Sequence, residues 1–150
     1  MKLSDIGVRV EGGGPPGGLG GGAVAILHEV LAMLERLLRT GEEAAIDLRS
    51  LPMAPGELDA LAAALGQGEV DAVFDGGGRS RVRETAVHGV WWVEHRDPDD
   101  EIIASFIEIT TVPAILITDP ADIRRGIDGL RRRLAQDAAG REERGGQANG

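Results

Sequence analysis

Arg83-Glu84-Thr85-Ala86-Val87-His88-Gly89-Val90-Trp91-Trp92-Val93 is the stretch on which the fold turns. The chain has two Trp, two Phe and no Tyr, so half of its aromatic residues stand side by side in this run. Consecutive residues of a β-strand point to opposite faces. Read as a strand, the run sends one indole into a core and leaves the other on the second face. An indole on an outer face needs a covering helix or a partner. The plainer alternative is that both are structural.

The segments around this run are also short and strand-like. Upstream, Gly76-Gly77-Gly78 turns the chain into Arg79–Ala86. Val87-His88-Gly89 makes a turn, with Gly89 suited to a positive φ. Downstream, Asp97-Pro98-Asp99-Asp100 makes a hairpin with Pro at a favoured position. Ile102–Thr110 then completes an antiparallel meander, which Pro113 stops. Before the meander, Ala44–Leu48 reads as a strand, Pro55 opens a helix carrying Leu58, Leu61 and Leu65, Gly66 stops it, and Val70–Phe74 reads as a second strand. These three elements form a β-α-β unit whose two strands run parallel, as neighbours or with a gap between them.

Two longer helices frame this region. Val24, Leu27, Leu31, Leu34 and Leu38 recur at three- and four-residue spacing, widened by Ile26, Val30, Met33 and Leu37, which predicts a helix over 22–39. Asp119 and Pro120 supply the N-cap and first position of a last helix, with Ile123, Ile127, Leu130 and Leu134 as its buried stripe. Gly126 and Gly129 weaken that helix, so it depends on tertiary packing. The order α-β-α-β-β-β-β-α predicts an α+β fold: a mixed, largely antiparallel five-stranded sheet with helices packed on it. Eight glycines in residues 11–22 predict that 1–22 is a flexible lead. The folded domain then spans 23–137, and 138–150 is a disordered polar tail.

Composition limits the chemistry. There is no Cys in 150 residues, which excludes disulfides, thiolate catalysis and thiolate-bound zinc or iron–sulfur centres within the chain. Formal net charge is -9; residues 1–120 hold 20 acidic and 9 basic side chains, whereas 121–150 hold 5 and 7. An acidic body repels nucleic acid and anionic membranes. No apolar run reaches membrane-spanning length and no signal peptide opens the sequence, so a cytoplasmic location is expected.

Single residues give weak signals. His28, His88 and His95 lack the i,i+4 pairing of a helical zinc motif, and no nucleophile motif is present. Neither catalytic residues nor a metal or cofactor are expected. Arg79, Arg81 and Arg83 alternate along one strand face, as an anion site or as solubilising charge on an outer strand. Arg83 and Glu84 beside the Trp pair are harder to dismiss, because Arg and Trp are both frequent at interface hot spots.

Read together, Ile46-Asp47-Leu48-Arg49-Ser50-Leu51-Pro52, Gly68-Glu69-Val70, Arg83-Glu84-Thr85-Ala86, Gly89-Val90-Trp91-Trp92, Ile107-Glu108-Ile109-Thr110, Val112-Pro113 and Ile115-Leu116 resemble the C-terminal domain of the HupH/HyaF-type hydrogenase expression proteins. The likeness covers about residues 23–137. It implies an accessory role in maturing [NiFe] uptake hydrogenases, with the iron–sulfur small subunit, its precursor or other maturation proteins as partners, and no catalysis. The partner-binding residues expected are Arg83, Glu84, Trp91, Trp92 and Arg49. Two other readings stand beside it: a small-ligand or enzymatic pocket near His88, His95, Arg83 and Glu84, and a homodimerising interaction module.

Overall fold

The computed structural model describes residues 18–148. Most of the predicted flexible lead, residues 1–17, therefore lies outside the described residues. Two compact units divide the chain after Pro113.

The first unit holds helix α1 (Gly21–Thr40), strand β1 (Ala44–Asp47), a 3₁₀ turn (Leu48–Ser50), helix α2 (Glu57–Leu65) and strands β2 (Asp71–Asp75), β3 (Arg79–Glu84), β4 (Val90–Arg96) and β5 (Ile102–Ile109). The sheet order is β1-β5-β4-β3-β2, and every neighbouring pair is antiparallel. Four successive reversals make β1 and β2 point the same way from opposite edges. The parallel relation expected of the β-α-β unit thus holds, with the whole meander inserted into the gap.

The inserted strands put β4 at the centre, where its first four residues are all buried. Across the five strands, Asp71, Arg83, Trp92, Ile107 and Ile46 stand in register on one face. Their apolar members meet Ala23, Ile26 and Val30 of α1 and Leu61 and Leu65 of α2 in a single core cluster. Burial of side chains such as Ile26 and Leu61 contributes roughly 1.5–3 kcal/mol each. The buried side of α1 is the Ile26/Val30 side. Leu31 is 54% and Leu38 91% exposed, so the stripe is rotated from the Val24/Leu31/Leu38 line expected of the spacing. Ala23, Ile26 and Val30 form the side facing the core, widened by the partly buried Leu27, Met33, Leu34 and Leu37.

Loop chemistry matches the turn residues. Gly41 closes α1 at φ 76, and Gly89 turns the chain into β4 at φ 87. The Asp97 carboxylate accepts from Asp99 N at 2.9 Å and Glu101 N at 3.0 Å, which pins the β4–β5 hairpin. The glycines at the start of α1 are in contact rather than loose. Gly22 N donates to Glu57 Oε1 at 3.0 Å, and a Cβ on Gly20 would fall 2.2 Å from that same oxygen.

The second unit contains a 3₁₀ turn (Ala114–Leu116) and helix α3 (Pro120–Gln147). Asp119 caps α3, accepting from Ala121 N at 2.7 Å. The helix continues through most of the segment expected to be a disordered tail. Arg141 pairs with Asp137 at 3.1 Å, one turn apart, supporting it there. The second unit by itself buries no residue of α3, so the expected burial of Ile123, Ile127, Leu130 and Leu134 is not met within it.

Candidate functional site

The adjacent indoles separate as strand geometry requires. Trp92 joins the core beneath α1 and α2. Trp91 projects to the other face, in register with Glu108 and Glu84. Its Nε1–H donates to the Thr110 carbonyl at 3.1 Å. Each is only 6% exposed, as the plainer reading that both are structural expects, and neither supplies an outer-face indole.

The residues around them form a pocket of about 240 Å3 between the end of α2 and strands β3 and β4, lined by Ala62, Ala63, Gln67, Arg83, Thr85 and Trp92, with Gly66 and Glu84 completing it. Trp92 therefore contributes to a site from a buried position. Arg83 stands beside it in register on β3. Its guanidinium approaches Glu94 at 3.8 Å, and its buried Nε has no hydrogen-bond partner among the described residues. Buried polar atoms are normally paired, so this open donor singles Arg83 out.

The pocket wall is built by a tight crossing. After Gly66 ends α2 at φ 68, Ala86 N donates to Leu65 O at 2.9 Å and Gly68 N to Glu84 O at 2.8 Å. A Cβ on Gly68 would fall 2.6 Å from Thr85 O, so only glycine allows this approach. Glu84 Oε2 accepts from Glu69 N at 3.1 Å, locking the same crossing. The buried Thr85 hydroxyl donates to the carbonyls of Val87 and Val90 and accepts from Val87 N, shaping the turn into β4. Thr85, Gln67, Ala62 and Ala63 were not selected from the sequence. The glycines at 66 and 68 are the one sequence signal of a close backbone crossing.

Other selected residues lie elsewhere. Arg49 is exposed and donates to the Ile102 carbonyl, where β5 begins, five residues from the Ile107 that faces Trp92. His88 is 96% exposed and approaches Glu84 at 3.6 Å, whereas His95 lies near the far end of β4, bonded to Ser80 Oγ at 2.8 Å and edge-on to Phe106. The two histidines do not share a pocket with Arg83 and Glu84. The three alternating arginines each meet a carboxylate: Arg79 with Asp75, Arg81 bidentate with Asp71 at 2.9 and 2.5 Å, and Arg83 with Glu94. The hydrogen bonds from Arg81 hold the Asp71 carboxyl below its ordinary range. This explains the face as strand-to-strand pairing without a bound anion.

On the Trp91 face, burial pushes the Glu108 carboxyl up; neighbouring His95 opposes this and Glu43 adds to it. A larger open groove of about 560 Å3 lies at the hairpin tips, lined by Asp75, Arg79, Asp97 and Asp100. Its carboxylates are engaged: Asp75 by Arg79, Asp97 by its own turn, Asp100 by Arg96 at 3.8 Å. Among the described residues, no group of three His, Asp or Glu side chains is placed to hold a metal ion, and no helix is long and apolar enough to cross a membrane.

Comparison with known proteins fits this architecture. Residues 21–136 match the model of the HupH hydrogenase expression protein, C-terminal conserved region. The hydrogenase expression/formation protein HoxQ of Azotobacter vinelandii is 32% identical over 119 residues, covering 78% of this chain and 41% of that protein. HupH of Rhizobium leguminosarum bv. viciae is 32% identical over 106 residues, covering 69% and 38%. The chain thus spans about two fifths of the length of these curated relatives. A solved structure, the hydrogenase expression protein HupH from Thiobacillus denitrificans, superposes with a TM-score of 0.74 at 39% identity, covering 79% of this chain and 99% of that one. The match over residues 21–136 and the superposition on the solved HupH structure lead to one conclusion: the chain belongs to the HupH hydrogenase expression protein family, through its C-terminal conserved region.

Proposed function

We propose that this chain is a non-catalytic accessory protein in the maturation of [NiFe] uptake hydrogenase, acting by holding the iron–sulfur small subunit or its precursor. Membership of the family carries the hydrogenase connection, since its relatives are named for hydrogenase expression and formation. The Arg83 pocket supports binding over chemistry. At about 240 Å3 it is smaller than the roughly 300–1,000 Å3 usual for small-molecule sites. It suits one side chain of a client polypeptide, received between apolar Ala62 and Trp92 and the partly exposed Arg83 guanidinium. Residues 18–113 carry 17 acidic and 7 basic side chains, a net -10 that favours a client with basic segments around the inserted side chain. With no Cys, the chain has no thiolates to ligate a cluster itself.

Retention of the small-subunit precursor on the immobilised full chain tests the assignment. Ala63 is exposed on α2, so Ala63→Trp blocks the pocket without burying new bulk in the core. It is expected to lower retention at least about tenfold, a cost of about 1.4 kcal/mol, and Arg83→Gln is expected to do the same. Full retention by both variants, each with an unchanged circular dichroism spectrum, removes the pocket from the proposal. A wild-type chain that retains no precursor removes the client.

A further inference from the structure

Of the three arginines that alternate along β3, two are hydrogen-bonded and one is not. Arg79 donates to Asp75 at 3.4 Å, and Arg81 grips Asp71 through two bonds of 2.9 and 2.5 Å. Arg83 approaches Glu94 only at 3.8 Å, longer than a hydrogen bond, and its Nε has no partner among the described residues. The other carboxylates beside it are committed. Asp71, in register with Arg83, is held by Arg81. Glu84 Oε2 accepts from Glu69 N at 3.1 Å. A guanidinium has only donors, and leaving them unmet away from water is costly.

The pocket of about 240 Å3 joins this guanidinium to an amide and an apolar wall. Ala62, Ala63 and the Trp92 ring can pack on methylene groups, and exposed Gln67 can donate from its amide. Thr85 adds no donor, because its hydroxyl proton goes to the carbonyls of Val87 and Val90. An ionised acceptor on a short aliphatic stem meets these features together. Charge-assisted hydrogen bonds to a guanidinium are about twice as strong as neutral ones. A cationic side chain would meet Arg83 as a like charge, and a wholly apolar one would leave its donors unmet.

We propose that the pocket selects an acidic side chain, with its carboxylate on Arg83 and its stem against Ala62 and Trp92. The inference rests on the binding reading above and names the residue that the client inserts: an aspartate or glutamate, set in a segment of basic character.

Two blocked amino acids of equal size test the chemistry on the full chain. They are N-acetyl-glutamate N-methylamide and its glutamine counterpart, titrated at constant ionic strength to roughly ten millimolar, the range open to ligands of this size. The readout is the Trp92 indole N–H signal in a nitrogen–proton NMR spectrum. Trp91, on the opposite face and bonded to the Thr110 carbonyl, is the internal control. The glutamate compound is expected to move the Trp92 signal with a dissociation constant at least about tenfold below that of the glutamine compound. Arg83→Gln is expected to erase this preference, and Arg83→Lys, which keeps the charge, to retain part of it. Glu94→Gln leaves Arg83 in place and is expected to increase the preference, since the competing carboxylate is gone. A wild-type chain that binds both compounds alike, or neither, overturns the proposal, as does a preference that survives Arg83→Gln. Precursor retention separates this outcome from the client. Retention without a glutamate preference removes the chemistry and leaves the client, whereas a preference without retention removes the client and leaves the chemistry.

Discussion

Helices α1 and α3 look alike on paper and behave differently in the fold. Both repeat apolar residues every three or four positions. In α1 one side sinks against the sheet, with Ala23, Ile26 and Val30 all but inaccessible. Nothing in the second unit itself buries a residue of α3. Their charge differs as well: α1 carries two acidic and two basic side chains, a net of zero, whereas the first four turns of α3 carry a net +3. Periodicity reports that a helix has an apolar side. It does not report what covers that side, because cover is a property of the surface opposite.

The contrast can be broken at its strongest point first. Trp92→Ala removes the largest side chain shared by the core and the pocket, and is expected to cost roughly 3–5 kcal/mol, read as a lower urea midpoint. If the loss is below about 1 kcal/mol, Trp92 is not the keystone of the packed side. A matched pair sharpens the comparison next. Ile26→Ala in α1 is expected to cost roughly 2–5 kcal/mol, and Ile127→Ala in α3 less than about 0.5 kcal/mol in dilute, monomeric protein. Equal losses in the two variants would mean that the two helices are packed alike.

The smallest effect lies on the Trp91 face. Glu108 has its carboxyl pushed up chiefly by burial, so the folded state binds its proton more tightly than the unfolded state. Stability therefore falls as pH rises from the ordinary carboxyl range through the raised value, and the penalty is complete above it. Glu108→Gln removes that penalty. The variant is expected to melt higher than wild type at neutral pH, with the gain shrinking as pH is lowered into the acid range. A gain that does not change with pH would point to packing in place of desolvation.

Much of both units was legible residue by residue. Gly89 with positive φ, Asp97 bonding back into its own turn and Asp119 capping α3 follow from local chemistry, and each stands where the sequence put it. The alternation of Trp91 and Trp92 between faces is likewise a property of any strand. The candidate site was legible only in part. Arg83 and Trp92 meet because β3 and β4 are adjacent and in register, while Arg49 lies against the start of β5, His95 near the far end of β4, and exposed His88 in the turn beside Glu84. Gln67, Ala62 and Ala63 enter through the crossing of Gly68 over Thr85, a contact seventeen residues apart in sequence that no local pattern encodes.

The sequence by itself determined the order of elements, their turns and caps, the absence of thiol chemistry and the excess of acid, since these depend on neighbours in the chain or on composition alone. Only the tertiary structure decided that β1 and β2 part to opposite edges, that both indoles are enclosed, and that α1 buries its Ile26 side. Those outcomes depend on which distant surfaces meet, and side-chain volume, register and opposing charge settle that only once the chain has folded.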